Sequence, residues 1–293
     1  MMVLKMEYLI EFVQPSKKEL EEILDIRMKM GRLDDKDRFR NFLEKSNVIV
    51  RVIKVNNNFA GYFIVNIWKP MYGSIYEMSF LNRYFNEDVY KSAMVHVIDL
   101  LKEKGCKYVS IILQYDEKYQ FEVLQNIGFE IENEIFRYEK TDFSLFPREN
   151  KNVLVMPAAE CDIEKILEID RHCFSESEQL NQNILKETLH HSRGESFLIV
   201  ARLNYNIVGF AWCSIFSQKR VGYIVRIAVH PKYHGMGIGT RLLNSCITWL
   251  KEQGASKIFL RVISKNIAAQ RFFEKFGFRR VGIEYMLVKK LAI

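Results

Sequence analysis

A glycine-rich segment in the second half of the chain holds the residues best suited to bind an anion. The run YIVRIAVHPKYHGMGIGTRLLNSCITWLKEQG, residues 223–254, is typical of a β-strand, a proline turn, a glycine loop and an amphipathic helix. Glycines let the backbone approach a phosphate closely, and the free N–H groups and dipole of a helix N-terminus stabilise negative charge. The segment therefore predicts a pyrophosphate site, although glycines also precede many helices simply as turns.

Two other nucleotide-binding patterns do not occur in this segment. It lacks the GxxxxGK[ST] motif of a P-loop, and it lacks GxGxxG at the end of a βαβ unit with an acidic ribose-binding residue after it. Nucleoside triphosphates and nicotinamide dinucleotides therefore fit this loop less well than another pyrophosphate ligand does.

The elements around the loop have counterparts in the first half of the chain. NVIVRVIKVNNNFAGYFIVNIW and SFLIVARLNYNIVGFAWCSIF both indicate two strands joined by a polar turn, with Gly61 and Gly209 148 residues apart. Two later pairs, IDLLKEKGCKYVSIIL with ITWLKEQGASKIFLRV and VLQNIGFE with FFEKFGFR, keep their glycines 149 residues apart. Self-similarity at one offset predicts a duplicated structural unit.

Each copy is predicted to be one mixed α/β domain. It would contain a strand, amphipathic helices, a strand meander, a long helix, a strand, a shorter helix and closing strands. The polar segment TDFSLFPRENKN separates the copies. We therefore predict an α/β fold with a mixed α+β sheet, with residues 1–145 as the first domain, 146–152 as a linker and 153–293 as the second domain.

Composition limits the setting in which the protein works. The 5 cysteines show no CxxC or metal-ligand spacing, which indicates neither a disulfide framework nor a metal site and favours a reducing cytoplasm. The apolar start MMVLKMEYLIEFV is interrupted by charged residues and is far shorter than the roughly 20 residues of a membrane span. We expect a cytoplasmic protein with no metal and no membrane association.

Charge is distributed unequally between the two halves. Residues 1–150 carry 22 basic and 24 acidic side chains, whereas residues 151–293 carry 21 basic and 12 acidic ones, a net charge of +9. A basic domain attracts nucleic acid, membrane surfaces or polyanionic cofactors, and it is also compatible with an ordinary soluble surface. Charge alone does not choose among these partners.

The segment AVHPKYHGMGIGTRLL resembles the cofactor loop of the GNAT superfamily, R/Q-x-x-G-x-G/A, together with its preceding strand and proline turn. A second block, SKNIAAQRFFEKFGF, is similar to the later strand, asparagine, helix and Gly-Phe segment of that family. The resemblance implies two tandem GNAT-like domains. The second copy would bind acetyl-CoA as co-substrate, and the first copy would be degenerate.

The same resemblance implies which residues contact acetyl-CoA. Backbone groups of the loop would bind the pyrophosphate, the strand edge before the loop would pair with pantetheine, and the second block would pack beside the CoA arm. His234 stands where the family has arginine or glutamine, and Asn266 suits an ordinary helix cap equally well. The cofactor-binding candidates are Ile227, Ala228, Val229, His234, Gly235, Met236, Gly237, Ile238, Gly239, Thr240, Asn266, Ala269, Phe272 and Phe273.

The family reaction implied is direct attack of a neutral amine on the acetyl thioester. The carbonyl would be polarised by a backbone N–H, here that of Val229. Arg226 occupies the strand on which the family often places a glutamate base, and arginine is no base at neutral pH. Phe273 falls where many relatives carry a tyrosine that protonates the departing thiolate, and phenylalanine has no proton to donate.

Other side chains are therefore candidates for proton transfer. Tyr223 and Tyr285 are the first choices as catalytic residues, and His190, His191 and Glu284 are further candidates. Tyr285 is equally typical of a half-buried strand tyrosine, and the two histidines are typical of a solvated helix face. No spacing in the sequence decides among these five.

The loop of the first copy lacks the features that would bind CoA. At an offset of 149 residues, HGMGIGT corresponds to FNEDVYK, so that Asp88 replaces Gly237 and Tyr90 replaces Gly239. A carboxylate repels a phosphate, and a tyrosine blocks the close approach of the backbone. We predict that the first copy binds no CoA and has a structural role.

The sequence as a whole predicts an enzyme, an acyltransferase that moves an acetyl group from acetyl-CoA to a primary amine of a small molecule or a peptide N-terminus. DIEKILEIDRHCFSESEQL together with the cofactor loop resembles the branch that acetylates protein N-termini. A non-catalytic acetyl-CoA sensor or interaction module is the alternative, suggested by Arg226 and Phe273. We expect an amine-bearing acceptor, no nucleic-acid partner because the basic residues are dispersed, and a monomer or homodimer.

Overall fold

The computed structural model describes residues 9–30, 36–144, 147, 150–191, 195–216 and 220–292. They form two compact units, the first of residues 1–134 with 283–293 and the second of residues 135–282. Each unit has helices packed on a sheet that contains both parallel and antiparallel strand pairs, which confirms the predicted mixed α/β fold. No helix within the described ranges is long and apolar enough to cross a membrane.

The first unit begins with a short strand and two helices and continues through a three-stranded meander. Its sheet order is β1-β2-β3-β4-β5-β12, and the pair β4 and β5 is parallel. The elements are β1 Ile10–Val13, α1 Lys17–Lys29, α2 Lys36–Leu43, β2 Val48–Val55, β3 Asn58–Lys69, β4 Tyr72–Phe80, α3 Glu87–Glu103, β5 Tyr108–Gln114, α4 Lys118–Asn126 and most of β12 Arg279–Lys290.

The second unit repeats this order of elements. Its sheet order is β6-β11-β10-β9-β8-β7, and the pair β10 and β11 is parallel. The elements are the second half of β6 Glu130–Lys140, β7 Leu154–Pro157, α5 Ile163–Cys173, α6 Gln182–His191, β8 Ser196–Leu203, β9 Asn206–Phe216, β10 Val221–Val229, α7 Ile238–Glu252, β11 Lys257–Ile263 and α8 Ile267–Lys275.

The last strand of each sequence repeat completes the sheet of the other unit. In the second unit, β6 runs antiparallel to β11, from Ile135 opposite Ile263 to Lys140 opposite Ile258. In the first unit, residues 284–290 of β12 run antiparallel to residues 108–114 of β5. The compact units therefore end at residues other than 145 and 153, because the repeats divide the chain by sequence similarity and the units divide it by strand pairing. The proposed linker, residues 146–152, is described only at residue 147 and from residue 150 onward.

Buried tethers hold β6 in the second unit. The Lys140 side chain is 1% exposed, and its Nζ donates to the carbonyl of Phe276 at 2.6 Å, at the end of α8. Burial lowers the pKa of this ammonium, because desolvation disfavours the charged form. Nearby, the Tyr138 hydroxyl donates to the Glu274 carboxylate at 3.0 Å.

Local sequence explains where the helices begin and end. Ser16 forms a capping box with Glu19 at the start of α1, and this hydrogen bonding lowers the pKa of the Glu19 carboxyl to about 2. After α3 and α7, Gly105 and Gly254 adopt left-handed backbone angles, with φ of 77° and 85°. Glycine adopts this conformation without a steric penalty, so the predicted helix ends are confirmed.

The long helix α7 packs by one apolar face against the sheet of the second unit. Its predicted apolar positions are all fully buried, and each such side chain contributes about 1.5–3 kcal/mol relative to exposure. The helices α5 and α6 lie over a separate apolar cluster that includes Ala228, whereas Ile227 and Val229 pack toward the α7 cluster. This alternation places the two helix layers on opposite faces of β10. The buried residues of α7 named from the sequence are Leu242, Leu243, Cys246, Ile247 and Leu250.

Candidate active site

Strand β10 loses its partner on one side just before the glycine loop. It pairs with β9 along its whole length, but its parallel pairing with β11 covers only Val221 to Tyr223. The register against β9 shifts between Ile224 and Arg226, as in a β-bulge, and bulges bend a strand and end its pairing. In the described part of the second unit, the edge of residues 227–229 therefore pairs with no other strand.

Hydrogen-bond alternation shows which backbone groups point to this open edge. The N–H of His230 donates to the carbonyl of Val208 on β9 at 2.9 Å. Because successive residues of a strand direct their backbone groups to opposite sides, the N–H groups of Ile227 and Val229 point away from β9. The open edge thus presents N–H donors to the cleft between β10 and β11, as the prediction for a pantetheine chain and a thioester carbonyl requires.

The carbonyl of Val229 is already engaged. It accepts a hydrogen bond from His234 Nε2 at 2.8 Å and one from Cys173 Sγ at 3.3 Å. A carbonyl can only accept, so Nε2 of His234 carries the proton. His234, at the family's arginine or glutamine position, therefore ties the glycine loop back to the end of β10.

The glycine loop leads directly into α7. Gly235 and Gly237 have left-handed backbone angles, with φ of 77° and 74°, and Gly237 is the N-cap of the helix with no capping side chain. Glycine is required here because L side chains rarely adopt this conformation. In the described part of the chain no side chain caps α7, so its first N–H groups, from Ile238 to Thr240, give the geometry of an anion site.

Two contacts around the loop were not anticipated from the sequence. Asn150 Nδ2 donates to the carbonyl of Met236 at 2.8 Å, and a Cβ built on Gly237 would lie 3.2 Å from Asn150 Cβ. Gly239 lies in the first turn of α7, where an added Cβ would be 3.5 Å from the Phe272 ring. Asparagine in a polar segment carries no signal that distinguishes such a contact from ordinary solvation.

The second block packs beside the loop. Asn266 Oδ1 accepts from the N–H of Ala269 at 3.0 Å, so the residue caps α8. Asn266 is exposed, which leaves its Nδ2 for the proposed contact with the CoA arm. Phe272 is half-buried, whereas Phe273 is 5% exposed and its ring lies 5.2 Å from that of Phe272 and 5.8 Å from that of Phe278.

The strand position of the family glutamate is occupied by a buried ion pair. Arg226 Nη2 lies 2.8 Å from Asp170 Oδ1, and the side chains are 14% and 1% exposed. The guanidinium also stacks 3.4 Å from the centre of the Phe174 ring. With its charge compensated, Arg226 has a tethering role, and no proton acceptor stands at this position of β10.

The first-choice proton-transfer candidates lie in different units. Tyr223 belongs to β10, is 37% exposed and makes ring contacts with Phe216 and Phe259. Tyr285 belongs to the first unit, where its ring lies 5.7 Å from that of Phe121. Burial raises the pKa of Tyr285.

The remaining candidates fall outside the second unit's cleft or outside the described residues. His190 Nε2 lies 2.6 Å from Glu160 Oε1 on the exposed side of α6, in agreement with a solvated helix face. Glu284 is 3% exposed in the first unit. The side chain of His191 lies outside the described residues.

A histidine pair at the end of β10 was missed by sequence reasoning. The rings of His172 and His230 lie 4.8 Å apart, and burial together with the proximity of His172 lowers the pKa of His230. The lone pair of His230 Nδ1 accepts from the N–H of Lys232 at 3.2 Å, so protonation there would break this bond. The ring therefore supports the turn before the loop. Pairs that form between a helix end and a strand end leave no spacing signal.

A groove of about 1000 Å³ lies along another face of α7 and is bordered by Asn150, Asn152 and Trp249. Its lining does not include the loop from Gly235 to Thr240. Among the described residues, no three His, Cys, Asp or Glu side chains come together as a metal site.

The equivalent loop of the first unit is closed by its own side chains. Asn86 Oδ1 accepts from the N–H of Val89 at 3.0 Å, so a free donor of α3 is already used. Tyr90 is 3% exposed and packs against Phe80 and Phe85, and burial raises its pKa. Aromatic rings thus occupy the space that glycines leave open in the second unit.

Comparison with known proteins agrees with this geometry. The model of the acetyltransferase (GNAT) family matches residues 163–278, all within the second unit. A [ribosomal protein bS18]-alanine N-acetyltransferase of Haemophilus influenzae is 32% identical over 124 residues, which cover 42% of this chain and 79% of that protein. The chain belongs to the acetyltransferase (GNAT) family. A second [ribosomal protein bS18]-alanine N-acetyltransferase, from Haemophilus ducreyi, is 30% identical over 127 residues, which cover 41% of this chain and 84% of that protein.

Solved structures show a tandem GNAT fold over 97% of this chain. A tandem GNAT protein from the clavulanic acid biosynthesis pathway superposes with a TM-score of 0.75, over 97% of this chain and 99% of that one, at 9% identity. A GCN5-related N-acetyltransferase from Sphaerobacter thermophilus superposes with a TM-score of 0.72, over 97% of this chain and 96% of that one, at 14% identity. At such identities the likeness concerns the fold, and it confirms the predicted duplication.

Proposed function

We propose that this GNAT protein transfers the acetyl group of acetyl-CoA to a primary amine of a small molecule or a peptide N-terminus. The observation that carries the proposal is the open edge of β10, which continues directly into an uncapped helix N-terminus through two left-handed glycines. The edge would pair with pantetheine, and the loop would bind the pyrophosphate. The [ribosomal protein bS18]-alanine N-acetyltransferases among the relatives support the peptide N-terminus as one acceptor class.

In this proposal the backbone performs the electrostatic part of the reaction. The N–H of Val229 points into the cleft and would donate to the thioester carbonyl as charge develops on its oxygen. A neutral amine attacks the carbonyl carbon, the C–S bond breaks, and the CoA thiolate leaves. The excess proton of the ammonium passes to water, and Tyr223 is the proposed side chain of the second unit for proton transfer.

Isothermal titration of acetyl-CoA, followed by free-thiol release against a panel of amines and peptides, tests this function. We expect one acetyl-CoA per chain, because the first unit fills its loop with Tyr90 and Asn86. Thiol release should depend on the amine. Two acetyl-CoA sites per chain would contradict the prediction that only the second unit binds the cofactor. Absence of acetyl-CoA binding would overturn the proposal.

A non-catalytic acetyl-CoA sensor is the second candidate, favoured by the paired Arg226 and the buried Phe273. Both positions lack the proton-transfer groups that the family often uses. Binding of acetyl-CoA with no thiol release from any acceptor would support the sensor.

The same two positions predict how the rate depends on pH. Neither Arg226 nor Phe273 can take up or release a proton near neutral pH, so the fraction of neutral amine should limit the rate. We expect log(kcat/KM) to rise with pH and to level off at the pKa of the acceptor amine. For two acceptors whose amine pKa values differ by about two units, log(kcat/KM) should then level off at pH values about two units apart. Levelling at one common pH would instead reveal a base on the enzyme.

A further inference from the structure

Each unit contains a buried ion pair between its first long helix and the strand before its loop, and the two pairs have opposite polarity. In the second unit, Arg226 on β10 pairs with Asp170 on α5. In the first unit, Glu77 on β4 pairs with Arg27 on α1, and these side chains are 9% and 5% exposed. Glu77 and Arg226 lie 149 residues apart, which is the offset of the sequence repeat.

The surroundings of the two pairs also correspond. The guanidinium of Arg27 stacks 3.9 Å from the centre of the Phe39 ring, and that of Arg226 stacks 3.4 Å from the centre of the Phe174 ring. The same fold therefore accepts the pair in either polarity, with arginine on the helix in one unit and on the strand in the other.

The pair of the second unit holds the segment between α5 and α6, residues 174–180. Asp170 Oδ2 accepts from the N–H of Leu180 at 2.7 Å, and Arg226 Nη2 donates to the carbonyl of Glu178 at 2.8 Å. Together with the stacking on Phe174, these contacts tether the start and the end of the segment to β10. Hydrogen bonds to charged groups in a nearly solvent-free site are stronger than those between neutral groups.

The tethered segment lies on the face of β10 opposite to α7. Arg226 directly precedes the open edge of residues 227–229, and Cys173 at the end of α5 contacts the carbonyl of Val229. With the proposed pyrophosphate site on the α7 side, the α5 side of β10 is left for the proposed amine to approach the thioester. Residues 174–180 border that approach.

We propose that Arg226 is a positioning residue for the acceptor amine, and that it acts by fixing residues 174–180 beside the open edge. This inference rests on the proposed acetyl transfer. At the strand position where the family often has a glutamate base, the second unit has a tether that shapes the acceptor side and leaves the cofactor side unaffected.

A charge-swap cycle tests the proposal. Arg226→Glu places two carboxylates together and should release the segment, because a buried charge without its partner is strongly unfavourable. We expect the KM for the acceptor to rise at least about tenfold while the acetyl-CoA Kd stays within about twofold of wild type. The double variant Arg226→Glu with Asp170→Arg copies the polarity of the first unit and restores the charge balance. Arginine at position 170 cannot accept from the N–H of Leu180, and glutamate at position 226 cannot donate to the carbonyl of Glu178, so the KM should stay raised.

Two further variants keep the test interpretable. Arg226→Lys retains the charge but loses the stacking on Phe174 and the hydrogen bond to the carbonyl of Glu178. This variant should fold and show a KM for the acceptor between those of wild type and Arg226→Glu. Lys165→Ala removes a charge from the exposed side of α5, where Lys165 pairs with Glu168 at the surface, and it should leave both constants unchanged.

Amide exchange separates this proposal from the proposed function. The N–H of Leu180 should exchange faster than in wild type both in Arg226→Glu and in the double variant, whether or not an acceptor is known. Unchanged protection of Leu180 in Arg226→Glu, or a wild-type KM in the double variant, would overturn the tether. An acetyl-CoA Kd that changes in step with the acceptor KM would show that Arg226 acts on the cofactor side instead.

Discussion

Replacing Gly237 by aspartate is expected to weaken acetyl-CoA binding at least about a hundredfold, equivalent to about 2.7 kcal/mol. Gly237 is the N-cap of α7 with φ of 74°, and a Cβ there lies 3.2 Å from Asn150. The new carboxylate would stand where the pyrophosphate is proposed to bind, so it would both fill the site and repel the ligand. Isothermal titration measures the loss directly.

The matched control is Gly254→Asp at the other end of the same helix. Gly254 also has a left-handed backbone, with φ of 85°, and an added Cβ there meets no atom within 4 Å. Both variants therefore carry a similar backbone strain of about 1–2 kcal/mol, and only one lies at the loop. We expect similar unfolding midpoints but a normal acetyl-CoA Kd for Gly254→Asp. Equal Kd values for Gly237→Asp and wild type would refute the placement of the pyrophosphate.

Replacing Gly61 by alanine is expected to destabilise the first unit by about 3 kcal/mol. A Cβ at this position would lie 2.2 Å from the carbonyl oxygen of Ser79 and 3.0 Å from Cα of Phe80. Both atoms belong to the backbone of β4, so no side chain can rotate away, and the pairing of β3 with β4 must open. Gly61 is one of the glycines that define the repeat, and its role is to allow two strands to approach closely.

Urea unfolding measures this loss. The chain has 3 tryptophans, and Trp68 lies in β3, so a background with Trp212→Phe and Trp249→Phe makes fluorescence report on the first unit. Gly105→Ala serves as the control, because Gly105 also lies in the first unit and its added Cβ would meet no atom within 4 Å. Gly105→Ala should cost only the backbone strain of its left-handed conformation, about 1–2 kcal/mol. An equal loss in both variants would show that the close approach of β3 and β4 is not the cause.

Local patterns in the sequence were sufficient to predict the elements of the cofactor site. The glycine loop, the buried face of α7 from Leu242 to Leu250 and the helix ends at Gly105 and Gly254 all follow from spacing and turn chemistry. These features depend on residues a few positions apart, and their physical causes act over the same short range. The loss of the loop in the first copy, at Asp88 and Tyr90, is visible for the same reason.

The remaining features of the site depend on contacts between residues far apart in sequence. The exchange of β6 and β12, the separation of β10 from β11 after Tyr223 and the ion pair between Arg226 and Asp170 each join residues far apart in sequence. A strand's side-chain pattern shows which face is buried but leaves its neighbour unspecified, because any strand edge offers the same backbone groups. The sequence by itself therefore determined the repeat, the loop and the absence of a proton donor at Phe273. The tertiary structure decided that Tyr285 belongs to the first unit and that Arg226 is a tether, since both depend on which strands and helices meet.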